Sequence, residues 1–148
     1  MIRAVLLAAL TTFAFGLMYQ VRWRMVAVSA IIAAVAWTAY QGLAGSFGGS
    51  SGWAEFIGAL TVGVLSEVGA YVWKQPALVF QVPSIIPFVP GYLVYESMLS
   101  FMRNDFLAGL EQGFHAVLLA AALSLGLALA TAVMRAVFKR DRRPRPMD

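Results

Sequence analysis

The chain has 148 residues, of which 61% are hydrophobic and 12% charged, and its mean hydropathy is +0.77. A soluble domain carries about 25% charged residues and, at this size, leaves much of its chain facing water, so this composition excludes a soluble globule and a disordered chain. The absence of cysteine excludes a disulfide-stapled secreted domain, and the net charge of +4 is distributed as a topology signal rather than as a nucleic-acid surface.

A bilayer core about 30 Å thick takes about 20 apolar residues at helical rise. Runs of this kind occupy residues 2–19, 25–43, 53–73, 77–101 and 112–138, which predicts an all-α polytopic membrane protein of five transmembrane helices in one domain. Residues 2–19 have the length of a signal peptide and small residues at Ala14 and Gly16. Their basic pair, Arg22 and Arg24, follows the run rather than preceding it, so the segment reads as a helix. The breaks are that basic stretch, a Gly/Ser-rich connection over residues 42–52, the short Lys74-Gln75-Pro76 and the polar Arg103-Asn104-Asp105. With five spans and the N-terminus outside, nine of the 11 basic residues fall on the cytoplasmic side. The positive-inside rule therefore favours N-out, C-in, with residues 139–148 as a basic cytoplasmic tail near anionic lipid. Trp23, Trp53, Tyr71 and Trp73 lie near segment ends, where aromatic belts form.

In the third run, Glu67 lies roughly 21 Å from the outer end at helical rise. An ionised carboxylate there is costly against lipid, so it faces the bundle, pairs or holds a proton. Ala59, Gly63, Ser66 and Ala70 form a small-residue stripe beside it that lets another helix approach closely. Glu67 reads as a proton or substrate relay or, alternatively, as an interhelical hydrogen-bond donor or a residue reaching the cytoplasmic interface.

The fourth run contains Pro83, Pro87 and Pro90 within eight residues, which no regular helix accommodates. Each removes an N–H, leaving the carbonyls of Val79, Pro83 and Ile86 without their usual partners, and each pushes the preceding residue out of the α region. The expectation is a half-helix, an unwound stretch near the midplane between Val82 and Gly91, and a second helix from Gly91. Its amides and dipole would face a bound anion, with Ser84 and Tyr95 supplying hydroxyls. A shape-only kink is the alternative reading. Glu96, one turn beyond Gly91, either lines the same cavity or reaches toward Arg103. In the last run His115 follows Glu111 by four residues, an i,i+4 pair, and Asp105 and Glu111 read as solvated loop charges. Gly109, Gly113, Ala116, Ala120, Ser124, Ala128 and Ala132 form a second small-residue stripe.

With no cysteine and one histidine, the sequence offers no metal-ligand cluster and no Cys/His catalysis, and it implies no cofactor. The Gly48-Gly49-Ser50-Ser51-Gly52 segment lacks a P-loop lysine. A membrane enzyme using Glu67 and Glu96 as acid and base is a further alternative.

The stretch Lys74-Gln75-Pro76-Ala77-Leu78-Val79-Phe80, followed by Pro83-Ser84-Ile85-Ile86-Pro87-Phe88-Val89-Pro90-Gly91 and Tyr95, resembles the signature of the threonine/serine exporter family. More narrowly, it is similar to that family's C-terminal half, which occurs as a separate small subunit. The resemblance covers about residues 12–140. It implies a secondary, proton-coupled exporter of threonine, serine or a dicarboxylate such as succinate in a bacterial inner membrane. It also implies a larger membrane partner supplying the other half, and no nucleic acid. By motif match Pro83, Pro87, Pro90, Gly91 and Tyr95 carry over as site-forming positions, whereas Glu67 and Glu96 are features of this chain. The runner-up is a non-transporting subunit that assembles and stabilises the larger partner.

Overall fold

In the computed structural model, which describes residues 2–46 and 52–141, the chain is helical, with no strand among the described residues. The helices are α1 (Ile2–Met18), α2 (Trp23–Ser46), α3 (Gly52–Trp73), α4 (Leu78–Ile85), α5 (Gly91–Met102) and α6 (Phe106–Asp141), with a 3-10 turn (Ile86–Phe88) between α4 and α5. Three of them, α2, α3 and α6, are long and apolar enough to cross a bilayer, and the bent pair α4–α5 forms a fourth if counted as one span. At 17 residues α1 falls just short of that length. The glycine-rich connection was expected to begin at Gly42, yet α2 runs on through Ser46, and the rest of that connection lies outside the described residues. The last helix begins at Phe106, earlier than the apolar run suggests. Asp105 Oδ1 accepts the Ala108 amide at 3.2 Å, so this loop carboxylate caps α6. Of the basic tail, residues 142–148 also lie outside the described residues.

Three of the connections use one device. Gln20, Lys74 and Asn104 follow the ends of α1, α3 and α5 with φ of 58°, 52° and 60°. In each, the next amide reaches back across the turn: Val21 to Gly16, Gln75 to Ala70 and Asp105 to Ser100, at 3.2, 3.2 and 2.9 Å. This is the Schellman closure, which satisfies terminal carbonyls with a left-handed residue. The chain accepts the cost of a non-glycine in that region at all three turns. Pro76 then follows Gln75 and prevents α3 from continuing.

Close approach of α3 and α6 dominates the packing. A Cβ added at Gly126 would lie 2.5 Å from the Phe56 carbonyl oxygen, and one at Gly63 would lie 2.5 Å from the Ala130 Cβ. Of the stripe Ala59, Gly63, Ser66 and Ala70, Ala59 and Gly63 thus lie on the contact face against Gly126 and Ala130, Ser66 is buried, and Ala70 lines a cavity. α1 packs on α2, α4 lies across α2 and α3, and α5 packs on α6. Phe80 and Phe88 are buried between these helices with Met25, Ile32, Ala36 and Val62. Large apolar side chains such as Leu6, Leu10, Ile31, Leu107 and Leu125 face outward, the pattern of helices whose solvent is lipid.

Candidate functional site

The proline segment breaks over a shorter length than its sequence suggests. Pro83 sits inside α4, and Pro87 sits in the 3-10 turn, where an early proline costs no hydrogen bond. Only Val89 (φ −62°, ψ 126°) and Pro90 (φ −74°, ψ 49°) leave helical geometry. The expectation of an unwound chain from Val82 to Gly91 is therefore corrected to two residues. The bend between the helical halves is 47°. The helix survives its prolines because the lost bonds are partly replaced: Val89 donates to the Ile86 carbonyl at 3.2 Å, and Gly91 donates to Val89 at 2.7 Å in an inverse γ-turn.

That γ-turn also changes the anion-binding face. The Gly91 amide is already engaged, and Val94 donates to the Pro90 carbonyl at 3.2 Å. The amides of Tyr92 and Leu93 remain at the start of α5, with no side-chain cap. Nothing lies within 4 Å of a Cβ placed on Gly91, and Tyr92 and Tyr95 are exposed. The mouth of the break therefore opens on the outer surface of this chain.

The six residues placed around the break by sequence divide into two groups. Pro87, Pro90, Gly91 and Tyr95 line or border the open side. Pro83 and Ser84 are buried against the bundle, and the Ser84 hydroxyl donates to the carbonyls of Ser29 and Phe80 at 2.9 and 2.7 Å. Ser84 thus pins α4 to α2. Phe88 does similar work from the 3-10 turn: its ring packs on Gly58, where an added Cβ would approach to 2.6 Å, and stacks obliquely with Trp37 at 5.2 Å.

Glu67 and Glu96 are not brought together. Glu96 is half-buried on α5, and no ion pair joins it to Arg103 among the described residues. Glu67 lies toward the other end of the bundle, where the α1–α2 connection and the end of α3 carry Arg22, Arg24 and Lys74. Its Oε1 is 3.7 Å from Arg135 Nε, too long for a hydrogen bond, and the two side chains are 12% and 75% exposed. A cavity of about 550 Å³ opens there between α3, α4 and α6, lined among others by Glu67, Gln75, Gln81 and Arg135. His115 is half-buried and lines a shallow recess with Glu111 and Gln112, away from both features.

Sequence reasoning passed over Glu55, which is 5% exposed in the first turn of α3. Trp37 Nε1 and Gln41 Oε1 are buried on α2 without hydrogen-bond partners among the described residues. The available signal was the spacing of Trp37, Tyr40 and Gln41, which puts three polar-tipped side chains on one face of an otherwise apolar helix.

Comparison with known proteins then decides the lineage. A family model described as "Threonine/Serine exporter, ThrE" matches residues 4–133, nearly the whole chain. The chain belongs to the threonine/serine exporter family. A relative, pheromone-regulated membrane protein 10 of Pichia sorbitophila, is 30% identical over 95 residues, which is 64% of this chain and 10% of that protein. This threonine/serine exporter family member therefore spans about a tenth of that relative's length. No solved structure matches it.

Proposed function

We propose that the chain is the small subunit of a secondary-active exporter of small carboxylate metabolites, threonine and serine or a dicarboxylate, driven by proton exchange. Membership of the threonine/serine exporter family makes export the first expectation, and the observation that carries the mechanism is the break at Val89–Pro90. Irregular backbone at membrane depth persists where protein or a wet cavity covers it. On this chain that backbone faces outward, with Gly91 and Tyr95 uncovered, so the covering wall comes from a second, larger membrane subunit of the same family. Five spans, counting α1 and the bent pair, with the N-terminus outside and the basic end in the cytoplasm of a bacterial inner membrane, make one repeat of a two-repeat transporter. Pro87, Pro90, Gly91 and Tyr95 form the cargo-facing side, Pro83 and Ser84 hold its backbone in place, and Glu67 and Glu96 carry the proton side of the exchange.

The amides of Tyr92 and Leu93 and the dipole of α5 suit a carboxylate without a buried cation. An inside-negative potential drives a dianion outward by about 2.3 kcal/mol per charge per 100 mV, but gives zwitterionic threonine nothing, so proton exchange matters most for the amino acid. The test is Gly91→Leu in cells expressing both subunits. Export of threonine and succinate falls while assembly persists; undiminished export places the cargo path wholly in the partner and favours a structural role for this chain.

A further inference from the structure

The cavity at the basic end has a composition that the break does not. Glu67 of α3 and Arg135 of α6 bring opposite charges to it from different helices, and the amides Gln75 and Gln81 line the α4 side. Resting on the exporter reading, we propose that this cavity is a second cargo site, specific for zwitterionic α-amino acids, in which Glu67 takes the ammonium group and Arg135 the carboxylate.

The pair is poorly made as a structural clip. At 3.7 Å it forms no hydrogen bond, and its arginine is 75% exposed and free to swing. Yet Glu67 Oε1 is removed from solvent with no hydrogen-bond partner among the described residues. A desolvated carboxylate oxygen without a donor is unfavourable, and an ammonium group brings three donors to it. In an α-amino acid the two charged groups hang on one carbon, so they match a carboxylate and a guanidinium that already lie close together. Arg135 needs only to move outward for the ligand to enter between them, exchanging one loose contact for two charge-assisted ones. Tyr71 and Phe138, stacked at 4.7 Å with 6° between their planes, give the cavity a flat apolar wall for a small side chain.

The same arrangement disfavours a dicarboxylate, whose second carboxylate would meet Glu67 with like charge. Among the described residues, the ionisable groups that line the cavity with Glu67 are Arg135 from α6 and Tyr71 from its own helix, while Gln75 and Gln81 line the α4 side. A proton and a cargo ammonium therefore compete for one carboxylate, which is the requirement for exchanging one against the other.

The experiment measures binding of labelled L-threonine to the purified full chain in lipid nanodiscs, with serine and succinate as competitors, for the wild type, Glu67→Gln and Arg135→Gln. Serine displaces threonine and succinate does not. Each variant lowers affinity by about tenfold or more, because each removes the partner of one of the ligand's two charges. Helical circular dichroism and elution volume confirm that the near-isosteric Glu67→Gln is folded. Absence of saturable threonine binding to the wild type, equal displacement by succinate, or full affinity in both variants overturns the site. Efflux from vesicles containing the larger subunit separates the two claims. Undiminished threonine efflux by both variants removes this site and leaves the exporter standing, whereas wild-type vesicles that release neither threonine nor succinate remove the exporter reading itself.

Discussion

Replacing Gly126 by alanine tests whether the α3–α6 contact is set by the missing Cβ. The new methyl would lie 2.5 Å from the Phe56 carbonyl oxygen, 2.9 Å from the Ala59 Cβ and 3.1 Å from the Leu60 amide nitrogen. Ordinary contact is about 3.5 Å, so the helices must part by roughly 1 Å along a face made of backbone, which no rotamer change relieves. Overpacking of this kind costs about 1–3 kcal/mol, while alanine recovers about 0.5–1 kcal/mol of helix propensity, leaving a net loss of about 1–2 kcal/mol. Gly91→Ala is the matched control: it meets nothing within 4 Å and is neutral to stabilising. Unfolding by titration with denaturing detergent, followed by circular dichroism, reads both. A Gly126→Ala protein as stable as wild type, or a Gly91→Ala protein destabilised to the same degree, would refute the assignment of the tight face to α3 and α6.

Ser84→Ala removes a buried donor shared by two carbonyls, and the same titration registers a loss of about 1 kcal/mol. Glu67→Gln leaves the fold intact and flattens the pH dependence of export; an unaltered pH profile excludes Glu67 from coupling. Reporter fusions place Met1 outside and Asp148 inside, and a cytoplasmic Met1 contradicts the five-span topology.

What the sequence revealed and what it hid follow from range. Small residues at spacings of three and four pointed to the contact face in α3, where helix geometry alone puts Ala59 and Gly63 on one side. In α6 they misled: Ala120, Ser124, Ala128 and Ala132 are exposed, and Gly126 and Ala130 make the contact. The prolines marked a break, since the loss of an N–H is local. Its extent was not legible, because the replacement bonds at Val89 and Gly91 depend on the conformation the turn adopts. Ser84 looked like a ligand hydroxyl; its carbonyl partner on Ser29 lies 55 residues away and is invisible to any local pattern. Arg135 as the partner of Glu67 was hidden for the same reason. Glu55 was overlooked because it stands at the edge of an apolar run, where a carboxylate ordinarily meets water or the positive end of its own helix. Only the packing of α2 across it shows that it is buried.

Efflux of labelled threonine from vesicles, with this chain and its larger family partner reconstituted together and separately, tests the account most directly. Release that requires both subunits, runs with an imposed proton gradient and falls when Gly91 becomes leucine is the predicted result. Equal release from the partner alone would contradict it, since the break in this chain would then form no part of the path.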